Sequence, residues 1–106
     1  MKRSKYRAIP TTLDGIRFAS KRETARYSEL RLLEKAGEIA NLELQPVYPL
    51  TVNGKHVCKM IADFRYLDGG KHGKLTVEDC KGFKTPLFRL KAKLFATIYG
   101  IELRIT

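Results

Sequence analysis

The chain has 106 residues, of which 43% are hydrophobic and 30% are charged, so it can bury one core but has no room for a second domain. Lysine and arginine exceed aspartate and glutamate by 21 to 11, and the excess lies in residues 1–35 and 81–106, on either side of a nearly neutral middle. Basic flanks of this kind favour a nucleic-acid partner. Two cysteines exclude a disulfide scaffold, and the absence of a signal peptide or membrane-spanning run leads us to expect a cytoplasmic protein.

The first third of the chain predicts a basic arm, a tight turn and one helix. Residues 1–12 predict a mobile basic arm, and an Asp-Gly pair at residues 14–15 predicts a turn within a short hairpin or loop. Ser20 and Glu23 have the spacing of a capping box, in which each side chain satisfies a backbone N–H of the other residue. We therefore expect a helix over residues 20–36.

The middle of the chain predicts three strands. Alternating apolar side chains predict a strand over residues 42–52, and the Asn-Gly pair at residues 53–54 is a strong hairpin signal. We expect the chain to return antiparallel over residues 55–66 and to turn at residues 68–70. A third strand is expected over residues 75–81.

The last quarter of the chain predicts a helix and a closing strand. Pro86 suits the first turn of a helix, and apolar side chains at helical spacing continue to Gly100, after which residues 101–105 predict a strand. The order helix, three strands, helix, strand predicts an α/β fold of mixed α+β type, with a central mixed sheet flanked by helices. The second helix can form a right-handed crossover within a single domain that comprises residues 1–106.

Each of two predicted strands has a row of apolar side chains on one face, and an acidic side chain follows that row. Because strand side chains alternate between faces, Asp79 and Lys81 share one face with two apolar residues, Leu75 and Val77, which we expect to form an apolar anchor row. Asp63 on the preceding strand follows two apolar residues of its own parity, Val57 and Ile61, which we expect to form a second apolar anchor row. Adjacent strands would then bring Asp63 and Asp79 to the same place.

Two neighbouring carboxylates repel each other unless a proton or a cation separates them. Oxygen ligands of this kind suit Mg²⁺, which keeps several waters and shares its coordination with substrate phosphates. Lys81, two residues beyond Asp79, would reach the same centre and hold or deprotonate a water there. The pattern predicts metal-assisted hydrolysis of a phosphodiester.

These residues resemble the signature of the PD-(D/E)XK nuclease superfamily. An isolated Asp63 is followed by the acid-x-Lys triplet of residues 79–81, although Ala62 stands where the superfamily has its proline. More narrowly, the chain resembles a small nuclease-like family of phages and prophages over nearly its whole length. The segments that carry this second resemblance are Asp14-Gly15-Ile16-Arg17-Phe18-Ala19-Ser20-Lys21-Arg22-Glu23, Leu44-Gln45-Pro46, Ala62-Asp63-Phe64 and Glu78-Asp79-Cys80-Lys81-Gly82.

The resemblance implies a restriction-endonuclease-like core and a deoxyribonuclease that depends on Mg²⁺, with Mn²⁺ as a substitute. It implies that Asp63 and Asp79 bind the metal, that Lys81 is catalytic, and that Glu23 on the first helix assists as a further ligand. Small Holliday junction resolvases of this superfamily act as symmetric dimers, so a homodimer that cuts branched DNA in a bacterial host is also implied.

Several residues keep a second interpretation. Glu23 is equally explained as the acid of the capping box, and Glu78 competes with Asp79 for the role of the acid, although strand parity favours Asp79. Gln45 either orients a metal-bound water or makes a strand-edge hydrogen bond. The histidines and cysteines lack the Cys-x-x-Cys spacing of structural zinc sites, so zinc is not expected.

Basic residues on both helices are candidates for binding phosphates that flank the cleaved bond. They are Lys21, Arg22 and Arg26 on the first helix and Lys84, Arg89 and Lys91 near or on the second. Tyr6, Phe83 and Phe88 are candidates for stacking on bases. The alternative functions are a non-catalytic DNA-binding module and a general nicking or end-processing nuclease, but a pure binding module gains nothing from acids beside phosphate.

Overall fold

The computed structural model describes residues 10–106 and has the mixed α/β architecture that the sequence predicts. Its elements follow one another as β1 (Thr11–Leu13), β2 (Ile16–Phe18), α1 (Lys21–Lys35), β3 (Ile39–Leu44), β4 (Val47–Val52), β5 (Lys55–Ile61), β6 (Phe64–Asp68), β7 (Lys74–Asp79), α2 (Pro86–Tyr99) and β8 (Arg104–Ile105). Both helices begin and end within one residue of their predicted bounds. The basic arm predicted for residues 1–12 falls mostly outside the described residues, and its last two residues belong to β1, which pairs with β2.

A four-stranded sheet in the order β3-β6-β7-β8 forms the centre of the fold. β6 is antiparallel to β3, from which the β4–β5 hairpin separates it along the chain, and it is antiparallel to β7, to which a turn connects it. β8 runs parallel to β7, and α2 forms the crossover between them. The expected mixed sheet with a helical crossover is therefore present, and β8 is shorter than predicted.

The two long strands predicted over residues 42–52 and 55–66 are each broken, which corrects the predicted boundaries. β3 ends before Gln45 and β5 ends before Ala62, yet pairing continues across the break, since Gln45 N–H donates to the Asp63 carbonyl at 2.9 Å and Ala62 N–H donates to the Pro46 carbonyl at 3.1 Å. Gln45 has a positive φ of 51°, which bends the strand. The long hairpin that runs from β3 through β6 therefore contributes β3 and β6 to the four-stranded sheet, and β4 and β5 form a two-stranded sheet of their own.

The bend lets one row of alternating side chains serve two separate cores. Phe64 and Tyr66 on β6 pack in the core beneath α1, whereas Met60 and Ala62, which have the same parity, pack in the core beneath α2. The first core is completed by Phe18, Tyr27, Leu30 and Ile39, and the second by Tyr48, Leu50, Val77 and Phe95. The central sheet therefore lies between two apolar layers, and Asp63 occupies the point at which the row crosses from one layer to the other.

The expected apolar anchor row before Asp63 is wrong. Val57 and Ile61 are 59% and 49% exposed, because the β5 side chains that pack in the α2 core are Cys58 and Met60, which have the opposite parity. On β7 one of the two expected anchors, Val77, is fully buried, whereas the other, Leu75, is 43% exposed, so the expected row is only half present there. No helix within residues 10–106 is long and apolar enough to cross a membrane.

Candidate active site

The candidate site lies where the bent hairpin meets the end of β7. Asp63 N–H donates to the Glu78 carbonyl at 3.1 Å, which extends the β6–β7 pairing by one residue and brings Asp63 beside Asp79. The carboxylate Oδ2 of Asp63 accepts a 2.7 Å hydrogen bond from Cys80 N–H. The sequence-predicted pair of aspartates is thus brought together, and backbone contacts rather than side-chain packing hold Asp63 in place.

Asp79 is almost completely buried, with 3% of its surface exposed. Burial, a hydrogen bond with Asp63 and the negative charge of that residue together raise the pKa of Asp79 to about 8, against the opposing effect of Lys81. The proximity of the two carboxylates is therefore electrostatically unfavourable unless a proton or a cation lies between them. An arrangement of this kind is frequent in sites built for chemistry.

Lys81 is held between an acid and an aromatic ring. Its Nζ lies 3.6 Å from Oδ2 of Asp79 and 4.8 Å from the centre of the Phe88 ring at the start of α2. A ring face attracts a cation, so Phe88 helps to direct the ammonium toward the carboxylates. The base-stacking role suggested for Phe88 from sequence stays a prediction beside this contact.

Glu23 takes part in the cap of α1, as one of its two interpretations from sequence predicts, and its carboxyl group also lies beside Asp63. Ser20 Oγ accepts a hydrogen bond from Glu23 N–H at 3.1 Å, and the Glu23 carboxylate accepts one from Ala19 N–H at 3.3 Å, so the residue caps α1. Glu23 is also buried, and burial followed by the charge of Asp63 raises its pKa to about 7. The start of α1 therefore places a third carboxyl group beside Asp63.

Glu78 faces away from this cluster, on the side of the sheet opposite to Asp79. It is fully buried on the α1 side of the sheet, where it accepts hydrogen bonds from Arg26 Nε at 2.6 Å and Nη2 at 2.9 Å, from the Tyr66 hydroxyl at 2.6 Å and from the Thr106 hydroxyl at 3.1 Å. Burial opposes ionisation, but the bonds from Arg26 and Tyr66 prevail and lower the pKa of Glu78. Both of its oxygens therefore accept hydrogen bonds within the fold, and Asp79, the acid that strand parity favours, is the one that lies beside Asp63.

The same geometry removes Arg26 from the residues that could bind DNA. Its guanidinium is shared between Glu78 and Glu29, the latter at 2.9 Å, so little of its charge is free for phosphate. Sequence reasoning missed this pair because 52 positions separate Arg26 from Glu78 and no local pattern joins them. By contrast, Lys21 and Arg22 are exposed at the start of α1, next to Glu23 in the chain.

A cleft of about 360 Å³ opens directly onto Asp79 and Lys81. We call it the lysine cleft, since Lys59 and Lys91 also line it, together with Thr85 and Phe88. Lys59 was not among the residues predicted from sequence to bind DNA, although its place on the exposed face of β5 could have indicated such a role. Lys84 and Arg89 line a different cleft, between α2 and β8.

The carboxylates of the site are the groups that could hold a metal. No cluster of three or more His, Cys, Asp or Glu side chains within residues 10–106 has the arrangement of a ready-made metal site. Mg²⁺, however, is commonly held through one or two carboxylates, with water and substrate phosphate completing its shell. Asp63 and Asp79 are a donor set of that kind.

The remaining candidates have simpler places in the fold. Cys80 lies on the opposite side from Asp79, its Sγ is 3.3 Å from the Thr106 hydroxyl oxygen, and burial raises the pKa of its thiol to about 11, which disfavours a thiolate nucleophile. Gln45 is exposed at the bend of the hairpin. Tyr6 lies outside the described residues.

Comparison with known proteins identifies one family. Its profile matches residues 3–106, which is nearly the whole chain, and the family is described as a protein of unknown function (DUF1064). Neither the curated proteins nor the solved structures contain a match to the chain.

Proposed function

The chain belongs to the DUF1064 family, and we propose that it is a divalent-metal-dependent deoxyribonuclease that hydrolyses phosphodiester bonds at the site formed by Asp63, Asp79 and Lys81. The observation that carries this proposal is the burial of Asp79 between a second carboxylate and an ammonium group at the mouth of a cleft lined by lysines. A structural ion pair needs only one acid and one base. The second acid raises the energy of the site in the metal-free protein, which favours a functional interpretation.

The metal fits this donor set by charge and by ligand type. Asp63 and Asp79 would hold Mg²⁺, or Mn²⁺ in its place, and when bound the ion supplies charge neutralisation and polarisation of the phosphate. Glu23 lies next to Asp63 and can accept a proton, because its pKa is raised to about 7. The buried position of Asp79 excludes water from one side of the site and strengthens its electrostatic interactions.

Lys81 supplies the positive charge that the reaction needs on the protein side. The ammonium is fixed by Asp79 and Phe88, and it faces the cleft into which a phosphate would enter. A prepositioned cation stabilises the negative charge that develops on a phosphate during displacement. Lys81 also carries a proton at Nζ that can be given to a leaving oxygen.

We further propose branched DNA as the substrate and a pair of identical chains as the acting form, in the cytoplasm where such DNA is found. The support for pairing is an outer stripe of α2 on which Leu90 is 56% exposed and Ile98 is 37% exposed, with half-buried Leu94 between them. Exposed apolar side chains in a row are typical of protein contact surfaces. Two sites related by a twofold axis would face two strands of a branch.

The decisive experiment incubates the purified protein with Mg²⁺ on linear duplex, single-stranded and four-way-junction DNA, with EDTA in parallel samples. We expect cleavage with Mg²⁺, none with EDTA, and the fastest cutting on the junction. A protein that binds these DNAs but cuts none of them at neutral or alkaline pH would instead be a non-catalytic binding module. Sedimentation of the wild type and of Leu90→Lys tests the pairing, because the added charge should leave a monomer.

A further inference from the structure

We propose that Lys59 and Lys91 form a second phosphate-binding subsite, which holds the DNA backbone phosphate next to the one that is cleaved. This inference rests on the proposed function for the identity of the cleaved phosphate. The binding of an adjacent phosphate by the two lysines can be measured without any cleavage.

The first argument is the composition of the lysine cleft. Lys59 comes from β5 and Lys91 from α2, two elements far apart in the chain, and the fold brings both to the cleft that Asp79 and Lys81 also line. Asp79 is the only acid in that lining, and Lys81 already lies beside it. The charge of the remaining two lysines is therefore left uncompensated within the cleft.

The second argument is that neither lysine forms an ion pair with another residue in the part of the chain that the structure describes. Among residues 10–106, the ion pairs of the fold involve Arg26, Arg31, Arg65, Lys81 and Arg104, and none involves Lys59 or Lys91. The first turn of α2, beside the cleft, also contains no acidic side chain. Two like charges that face one small cleft repel each other, and a bound anion relieves that repulsion.

The third argument is size and position. A volume of about 360 Å³ lies at the small end of the range for ligand sites, which suits one nucleotide unit rather than a duplex. The unit that reaches Lys59 and Lys91 is continuous with the unit at Asp79 and Lys81, because one cleft contains all four residues. The ligand class is thus a polynucleotide with a phosphate on each side of the occupied nucleotide.

The test measures binding of a fluorescent single-stranded oligonucleotide in EDTA, at several salt concentrations, for the wild type and three variants. Lys59→Gln and Lys91→Gln should each weaken binding about 3- to 10-fold at low salt and reduce the slope of log affinity against log salt by about one. Lys55→Gln is the matched control, because Lys55 lies on the same strand but outside the lysine cleft. We expect its affinity and slope to equal those of the wild type.

Equal losses in all three variants would overturn the subsite, since they would indicate a diffuse basic surface, and so would unchanged binding by Lys59→Gln and Lys91→Gln. The same variants then separate this inference from the proposed nuclease. If the wild type cuts DNA, the KM of Lys59→Gln and Lys91→Gln for an oligonucleotide should rise about 3- to 10-fold, in parallel with the binding. If the wild type cuts nothing but the two lysines still account for binding, the nuclease proposal fails and the phosphate subsite stands.

Discussion

Asp63 accepts a 2.7 Å hydrogen bond from the backbone N–H of Cys80, the residue that directly follows Asp79. This bond fastens the bend of the long hairpin to the end of β7, so the two aspartates keep their separation as long as both backbones are folded. The bond engages Oδ2 of Asp63, and the same carboxyl group also interacts with the side chains of Asp79 and Glu23.

Asp79→Ala and Lys81→Ala should each reduce cleavage of DNA at least about 100-fold, because each removes a group that we propose to act on the reacting phosphate. Asp79→Ala should also bind DNA as tightly as the wild type or more tightly, since a negative charge beside phosphate is lost. Initial rates and fluorescence anisotropy measure the two effects. Lys74→Ala, at the exposed start of the same strand, is the control and should retain full activity. Undiminished cleavage by the first two variants would refute the assignment.

Glu23→Gln and Ser20→Ala separate the cap of α1 from the chemistry of the site. The Gln side chain can still accept the hydrogen bond from Ala19, so the cap should survive while the charge near Asp63 is lost and cleavage falls. Ser20→Ala removes the side chain that accepts from Glu23 N–H and should lower the free energy of unfolding by about 1 kcal/mol, with cleavage largely retained. Urea unfolding and cleavage rates are measured on both proteins. If both variants lose stability equally and cleave like the wild type, Glu23 is a helix cap and nothing more.

Glu78→Gln should destabilise the fold strongly, because it removes the charge of a fully buried carboxylate that Arg26 contacts through two nitrogens. The expected loss is about 3 kcal/mol in the free energy of unfolding, measured with urea. Glu29 provides a matched comparison, since it contacts the same guanidinium from the surface with 63% of its side chain exposed. Glu29→Gln should change stability by less than about 1 kcal/mol. Similar losses in the two variants would show that the buried network contributes little.

The stability of the metal-free protein should fall as pH rises from about 5 to about 8. Burial and the charge of Asp63 raise the pKa of Asp79 to about 8 and that of Glu23 to about 7, whereas both carboxyls titrate near 4 in an unfolded chain, roughly as in model peptides. Across this window the folded state holds protons that the unfolded chain has released, so the free energy of unfolding decreases, by at most about 1.4 kcal/mol per pH unit for each group.

The measurement is thermal unfolding in EDTA over that pH range, for the wild type and for Asp79→Asn. The amide cannot titrate, so the variant should show a shallower fall and should be the more stable protein at the alkaline end. Parallel curves for the two proteins would mean that Asp79 is not protonated in the folded state at neutral pH.

Local signals in the sequence predicted much of this fold. The Ser20 cap and the Pro86 start placed both helices to within one residue, and the Asn-Gly pair placed the hairpin turn between β4 and β5. Strand parity also separated Asp79 from Glu78. These features depend on neighbouring residues, which is why a single sequence suffices to find them.

The features that the sequence did not predict depend on contacts between distant segments. Alternation runs unbroken through Gln45 and Ala62, so periodicity could not show that the hairpin bends there and changes cores. Likewise, nothing near Arg26 in the chain indicates its buried partner Glu78. The approach of Lys59 to Lys91 depends on how β5 packs against α2, which only the folded chain defines.

The pairing of β8 with the end of β7 has a consequence for the order in which this edge of the sheet forms during synthesis. Arg104 and Ile105 pair with Glu78 and Asp79, yet they follow every other described element in the chain. A chain that is still being made on the ribosome therefore presents the acid-bearing edge of β7 without its neighbour, and Thr106 N–H cannot yet donate to the Asp79 carbonyl. The backbone pairing that completes this edge of β7, at Glu78 and Asp79, therefore forms only once residues 104–106 have emerged.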